Sequence, residues 1–464
     1  MSPSPERSAR RLRRIAAAAV GAAGLLLSLA FAPPAAADTP PADSISSDNI
    51  EHLANVPKPE GFEDTNSDLA FTGDYAIGGN YNGFVIYDIS DPADPQITST
   101  VLCPGGQGDV SVSGDLLYFS VDYPRAGEEC GAAESDPEDP NAFEGIRIFD
   151  ISDKTAPQYV SAVRTDCGSH TNTLLQGGET DYIYVSSYAP SDRYPNCQPP
   201  HDKVAIIEVP LDDPASAEIA AEPVLFPDGG NHDQDGLLRP TEGCHDITMF
   251  PERDLAAGAC MGDGIIMDIS DPLAPEVVER VRDENFAFWH SATFTNNGKG
   301  VLFTDELGGG GAATCTPEIG PERGANAVYG LKTKKGKAQL DFKSYFKIDR
   351  HQGTEQNCVA HNGSLIPVKG KNYFVQSWYQ GGVSIIDFND LSKPKEIAYF
   401  DADDRVDESI ETNTNTWSTY YYNGYIYNSD IDRGLDVLKV TDKRLKGAEK
   451  VRFDEFNPQN QPRY

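Results

Sequence analysis

Positive charge is scarce in this 464-residue chain. Lysine and arginine number 38 against 72 aspartates and glutamates, a formal net charge of −34 at pH 7. Nucleic acid and anionic membranes demand a basic footprint, so neither is an expected partner. Familiar catalytic motifs are missing as well. There is no G-x-S-x-G nucleophile elbow, no H-E-x-x-H zinc helix and no phosphate-binding glycine loop. No C-x-x-C pair occurs, which argues against a zinc knuckle or a thiol redox centre. Long helical periodicity is absent, whereas Gly (42), Pro (33) and Tyr (21) are plentiful. That balance predicts all-β structure.

What is present is a repeat. Asp-Ile-Ser-Asp closes an apolar run at Asp88–Asp91, Asp150–Asp153 and Asp268–Asp271, and Asp387-Phe-Asn-Asp390 is a looser copy. In the register of Asp88 the next positions are Asp150, Glu208, Asp268, Gly330, Asp387 and Lys439, at intervals of 62, 58, 60, 62, 57 and 52 residues. Each copy reads as four short strands with turn residues between them. Asn362–Pro367, Tyr373–Trp378, Gly382–Asp387 and Lys395–Phe400 form the clearest set. Side-chain carboxylates reach local amides in such turns, so the repeated aspartates are read as turn-formers and not as catalysts. Seven four-stranded units predict a seven-bladed β-propeller, whose stacked sheets bury both faces and leave few edges. The expected blades span roughly 62–102, 107–166, 169–227, 244–284, 289–349, 360–402 and 416–456. Either 49–56 or 451–456 can supply a strand that closes the ring.

Residues 1–37 read as a leader. Arg10, Arg11, Arg13 and Arg14 precede an apolar stretch, Ala16–Ala32, and Ala35–Ala37 then offers small residues for cleavage before Asp38. A signal peptide has that layout; a membrane anchor is the alternative, though the stretch is short for a span. The expected mature domain is 38–464, secreted to the extracellular side. Export suits eight cysteines, an even number that is most simply four disulfides. Cys103, Cys167, Cys244 and Cys358 precede first strands. Cys130, Cys197 and Cys315 lie in insertions between second and third strands, and Cys260 ends a second strand. Both kinds of connection emerge on one propeller face, so the expected pairs are Cys103–Cys130, Cys167–Cys197, Cys244–Cys260 and Cys315–Cys358.

The segments Gly83–Pro92 and Gly264–Pro272, both ending in Asp-Ile-Ser-Asp-Pro, resemble the LVIVD-repeat proteins of bacterial and archaeal surfaces. The resemblance implies a β-propeller over most of the mature chain. It implies no particular activity. The copy at Val328-Tyr-Gly-Leu departs from the pattern.

Of eight histidines, four share one register: His170, His245, His290 and His361 each begin the first strand of a copy. First strands are innermost in a propeller, so four imidazoles are aimed at the channel mouth. Such a set suits iron, copper or zinc. Four-histidine iron on inner strands is similar, in placement alone, to the carotenoid-cleaving oxygenases. The competing reading makes these histidines hydrogen-bonding braces between blades. Tyr123, Tyr188, Asp305, Glu306, Trp378 and Tyr379 fall near the same rim, where aromatic faces and carboxylates can hold a sugar or a cation. The stretch Asn231–Glu242 has Asn231, Asp233, Asp235, Gly236 and Glu242 at calcium-loop spacing, although no helices flank it.

These observations predict an extracellular binding module, a monomer whose partner is a protein, glycan or small molecule. A metal-dependent, oxidoreductase-like enzyme built on the four histidines is the second expectation. Glycan or cation binding on the loop-rich face is the third.

Overall fold

The computed structural model describes residues 46–464 except 233–238, 335–336, 352 and 403–414. The leader, and Asp233, Asp235 and Gly236 of the calcium-like loop, lie outside the described residues. Among the described residues the chain is all-β, apart from four three-residue 3₁₀ turns. No helix among them is long and apolar enough to cross a membrane.

The strands form antiparallel groups of four that resemble propeller blades. The first group is Asn66–Thr72, Tyr75–Asn80, Gly83–Asp88 and Gln96–Leu102. The next five groups begin at Val110, Thr171, Asp246, Trp289 and Asn362. A last group starts with Thr416–Tyr422, Tyr425–Asp430 and Gly434–Val440. First strands of successive groups lie side by side, and Thr416–Tyr422 lies beside Asn66–Thr72. The sixth and seventh are joined by a short parallel pairing, Asn362 with Ser418 and Gly363 with Thr419.

The repeat motif marks the third strand of each group. Gly83–Asp88, Phe143–Asp150, Asp263–Asp268 and Val383–Asp387 are nearly all buried, whereas the fourth strand Gln96–Leu102 is mostly exposed. Sequence follows position here: a strand covered on both faces is a continuous apolar run. Core side chains interlock between adjacent groups, as Phe84 and Ile86 do with Leu117 and Phe119. Each such side chain contributes roughly 1.5–3 kcal/mol by leaving water. Gly83 starts its strand because a Cβ there would sit 1.9 Å from the Val101 carbonyl oxygen, and its φ is +140°. At the other end the Asp carboxylates do what the motif predicts. Asp88 accepts from Ser90 N at 2.9 Å, Asp150 from Ser152 N at 2.8 Å, Asp268 from Ser270 N at 3.0 Å and Asp387 from Asn389 N at 3.1 Å. In the divergent fifth group Gly330 still falls in the third strand, Asn326–Lys334, but the hairpin runs on to Lys337–Phe346 without the aspartate turn.

Both chain ends are woven in. Ile50–Val56 is the fourth strand of the last group, paired with Gly434–Val440. The rival segment goes elsewhere: Glu455 and Phe456 pair with Thr72 and Phe71. The tail then crosses the far ends of the first strands. Asn457 bonds both backbone groups of Val112, at 2.7 and 2.8 Å. The backbone around Gln459–Gln461 brackets Met249. Gln461 Oε1 accepts from Phe294 N at 2.9 Å, and Asn296 donates to the Tyr464 carbonyl at 2.7 Å. Four disulfides brace the opposite side: Cys103–Cys130, Cys167–Cys197, Cys244–Cys260 and Cys315–Cys358, the pairs expected from the sequence.

Candidate metal centre and the cleft beside it

His170, His245 and His361 each stand immediately before a first strand, and His290 is the second residue of one. Their backbones are pinned to the ends of second strands. His170 N donates to Ser186 O at 2.8 Å, His245 N to Ala259 O at 2.8 Å and His361 N to Ser377 O at 3.1 Å. Because the first strands are neighbours, the four imidazoles form an arc. Successive ring centroids are 4.4, 4.0 and 4.2 Å apart from His170 to His361. The arc deepens along its length. His170 is partly open, while His245, His290 and His361 are buried.

The shallow end is tied by hydrogen bonds. His170 Nδ1 meets Asp122 Oδ2 at 2.7 Å, and its Nε2 meets His245 Nε2 at 2.9 Å. His245 Nδ1 contacts its neighbour Asp246 at 3.1 Å. At the deep end the pairing stops. His361 Nδ1 bonds the Trp417 carbonyl, and His290 Nδ1 lies 3.4 Å from Thr304 Oγ1. The two Nε2 atoms of His290 and His361 are buried with no hydrogen-bond partner among the described residues. Both face one carboxylate: they lie 3.9 and 3.8 Å from the oxygens of Glu306. Tyr379 OH donates to Glu306 Oε1 at 2.5 Å and fixes the carboxylate there. An unpaired buried nitrogen costs roughly 1–3 kcal/mol. Two of them, converging on one acid, is the donor arrangement that a bound cation relieves.

Two triads have donor atoms within 4.8 Å of one another: His290, Glu306 and His361, and His245, Asp246 and His290. They share His290. His170 belongs to neither and instead links His245 to Asp122, as a carboxylate-bound histidine beside a metal site does. Burial, then the neighbouring imidazoles, holds His245 and His290 well below the usual histidine pKa, and burial takes His361 down to about 3. The rings are therefore neutral near pH 7, the form that binds metal. Burial pushes Glu306 up to about 7 against the Tyr379 hydroxyl that favours its anion. Asp246 rises to about 7, again through burial.

Other sequence-selected residues have different places. Trp378 is fully buried behind the rim, packed near Phe346 and the Cys315–Cys358 bridge. Asp305 is also buried and accepts from the backbone N–H groups of Ala287, Phe288 and Gly324 at 2.8–2.9 Å, so it anchors the insertion that follows it. His52, His201 and His351 bond elsewhere, to Asp436, Ser187 and the Cys315 carbonyl. Of the calcium-like loop, Asn231 donates to the Gly262 carbonyl at 3.1 Å, and Glu242 is partly buried. Asp122 and Asp246 were not singled out by sequence reasoning. The second had a signal, since it adjoins His245. The first did not, since it lies within a long second strand, Leu116–Arg125, 48 residues from its histidine.

Beside His170 lies an open cleft of about 320 Å³, walled by Tyr81, Tyr123, Tyr188 and Tyr194, with Asp122 and Glu144 on its surface. Tyr123 is 54% exposed at the mouth. Tyr188 stands with its ring 4.8 Å from that of His170.

Similarity to known proteins reaches fold and repeat only. Hydrazine synthase from Kuenenia stuttgartiensis matches at 13% identity with a TM-score of 0.52, over 82% of this chain and 97% of that chain. Sqt1 of Saccharomyces cerevisiae matches at 9% identity with a TM-score of 0.48, over 85% of this chain and 86% of that one. No match is found among curated proteins. The LVIVD repeat matches residues 65–102, the first four-stranded group. The chain thus carries an LVIVD repeat, of the family that its Asp-Ile-Ser-Asp-Pro segments resemble.

Proposed function

We propose that the protein is a secreted, seven-bladed β-propeller that holds one transition-metal ion at the mouth of its channel. Its ligands are His290, His361 and Glu306, with His245 next to them. One observation carries this reading: two buried imidazole nitrogens lack hydrogen-bond partners among the described residues and face the same buried carboxylate. Neutral imidazoles with a carboxylate suit iron, zinc or copper. Bound there, such an ion supplies Lewis acidity or, for iron and copper, redox chemistry. The chain's own groups orient the set: Tyr379 holds Glu306, and Asp122 holds His170. Four disulfides fit an oxidising compartment and hence export.

The test is elemental analysis of untagged protein, as purified and after reconstitution with each of the three metals. About one ion per chain is expected, with most of it lost in His361→Ala and Glu306→Gln. Less than a tenth of an ion after reconstitution refutes the reading. That result would favour the second reading, an extracellular binding module whose histidines brace blade to blade, for which the 2.9 Å contact between His170 and His245 speaks.

A further inference from the structure

The cleft beside His170 has a one-sided chemistry. Tyrosine rings form much of its wall, and none of its lining residues is lysine or arginine. Tyr81 and Tyr123 meet edge to face at 5.7 Å, which fixes both rings. Asp122 is fully engaged, with Oδ2 on His170 and Oδ1 accepting from Gln107 N at 2.8 Å. Glu144 is not. Its carboxylate accepts no hydrogen bond from the described residues, although it is partly buried in the cleft wall. Arg164, whose charge acts on it, donates to the Pro140 carbonyl. Burial, then the neighbouring Asp122 carboxylate, pushes the Glu144 carboxyl up to about 8 against the pull of Arg164.

Aromatic faces attract a cation that has been stripped of water, and a carboxylate without a partner neutralises it. An anion would face two acids and no lysine or arginine. A volume of about 320 Å³ falls at the small end of ligand pockets.

We propose that this cleft binds a small organic cation, an amine or quaternary ammonium compound. Its charged head lies at Glu144 among the rings of Tyr81, Tyr123 and Tyr188. The bound molecule then reaches His170, the open end of the histidine arc. The inference rests on the metal-holding reading for what lies behind His170, and it assigns that centre a substrate class.

The probe is choline, compared with its neutral isostere 3,3-dimethylbutanol and with benzoate. Titration calorimetry at pH 8 is run on intact protein, both metal-stripped and zinc-loaded. Choline is expected to bind at least tenfold tighter than the isostere, and benzoate not to bind. Glu144→Gln is expected to weaken choline about tenfold and leave the isostere unchanged. Tyr123→Leu, at an exposed site that the fold tolerates, is expected to weaken choline several-fold. Equal binding of choline and its isostere, or full choline affinity in both variants, overturns the proposal. Choline discrimination in protein that takes up no metal would sink the metal reading alone. Metal uptake without discrimination would sink the cleft alone.

Discussion

Metal uptake at the deep triad should depend on pH through a single proton. A ligand must shed its proton to bind, so affinity falls wherever a proton competes. His290 and His361 do not compete between pH 5 and 8, because burial already keeps them neutral. Glu306 does, since burial raises it to about 7. At pH 6 about nine-tenths of such a carboxyl is protonated, which lowers the apparent affinity roughly tenfold, or ~1.4 kcal/mol. At pH 5 the loss is about a hundredfold, and above pH 8 the curve flattens. Solvent-exposed histidines with a pKa near 6.5 would instead give a slope of two or more below that pH. An ordinary carboxylate would give none. The assay is zinc titration by calorimetry between pH 5 and 8, in buffers of different ionisation enthalpy, which also counts protons released. About one proton is expected at pH 6 and about a tenth of one at pH 8. Glu306→Gln should bind zinc more weakly and with a flat profile. A wild-type slope near zero, a slope of two, or an undiminished slope in Glu306→Gln would refute the reasoning.

Other expectations follow from the same geometry. In metal-free protein the Glu306 carboxyl should contribute less stability at pH 8 than at pH 5, while the depressed His245, His290 and His361 act in the opposite sense. Raised carboxyls stabilise the fold fully below their unfolded pKa of 4.5 or less, and that stability is lost as pH climbs through about 7. For Glu306 alone the loss is on the order of 3 kcal/mol; the gap in melting temperature between wild type and Glu306→Gln across that range, without zinc, tests the sign. Replacing Cys315 and Cys358 by alanine frees a 43-residue separation and should cost about 4 kcal/mol by loop entropy, measured by chemical denaturation. Deleting Asn457–Tyr464 removes the bonds to Val112, Met249, Phe294 and Asn296. At roughly 0.5–1.5 kcal/mol per bond the deletion should cost several kcal/mol while leaving metal stoichiometry intact. Asp150→Ala should lose only about 1 kcal/mol, with no change in metal content, as befits a turn residue.

The scaffold was legible because its signal is local. An apolar run followed by Asp-x-Ser-Asp specifies a doubly covered strand and its turn together, and it recurs at a steady interval. The shared register of four histidines was legible for the same reason, since position along a first strand sets depth in the ring. Side-chain direction at strand ends was not. Trp378 follows the last paired residue of Tyr373–Ser377, and there the alternation that predicts facing no longer holds. Glu306 was visible only as an acid near a rim. Its role depends on Tyr379, 73 residues away, and on two histidines from different groups. The choice between the two terminal segments was equally closed to sequence, because both are short strand-like pieces and pairing over several hundred residues leaves no local mark.

The last sheet joins residues near the two termini: His52 meets Asp436 across 384 positions. Every disulfide, by contrast, spans 43 residues or fewer. Covalent locking can therefore precede closure, and a partly assembled fan, already oxidised, would wait with two unmatched apolar flanks. Joining distant segments is slow, and exposed flanks invite association between molecules. Yield of this protein should thus be governed less by forming its cystines than by how dilute the half-built fan is kept until its ends meet.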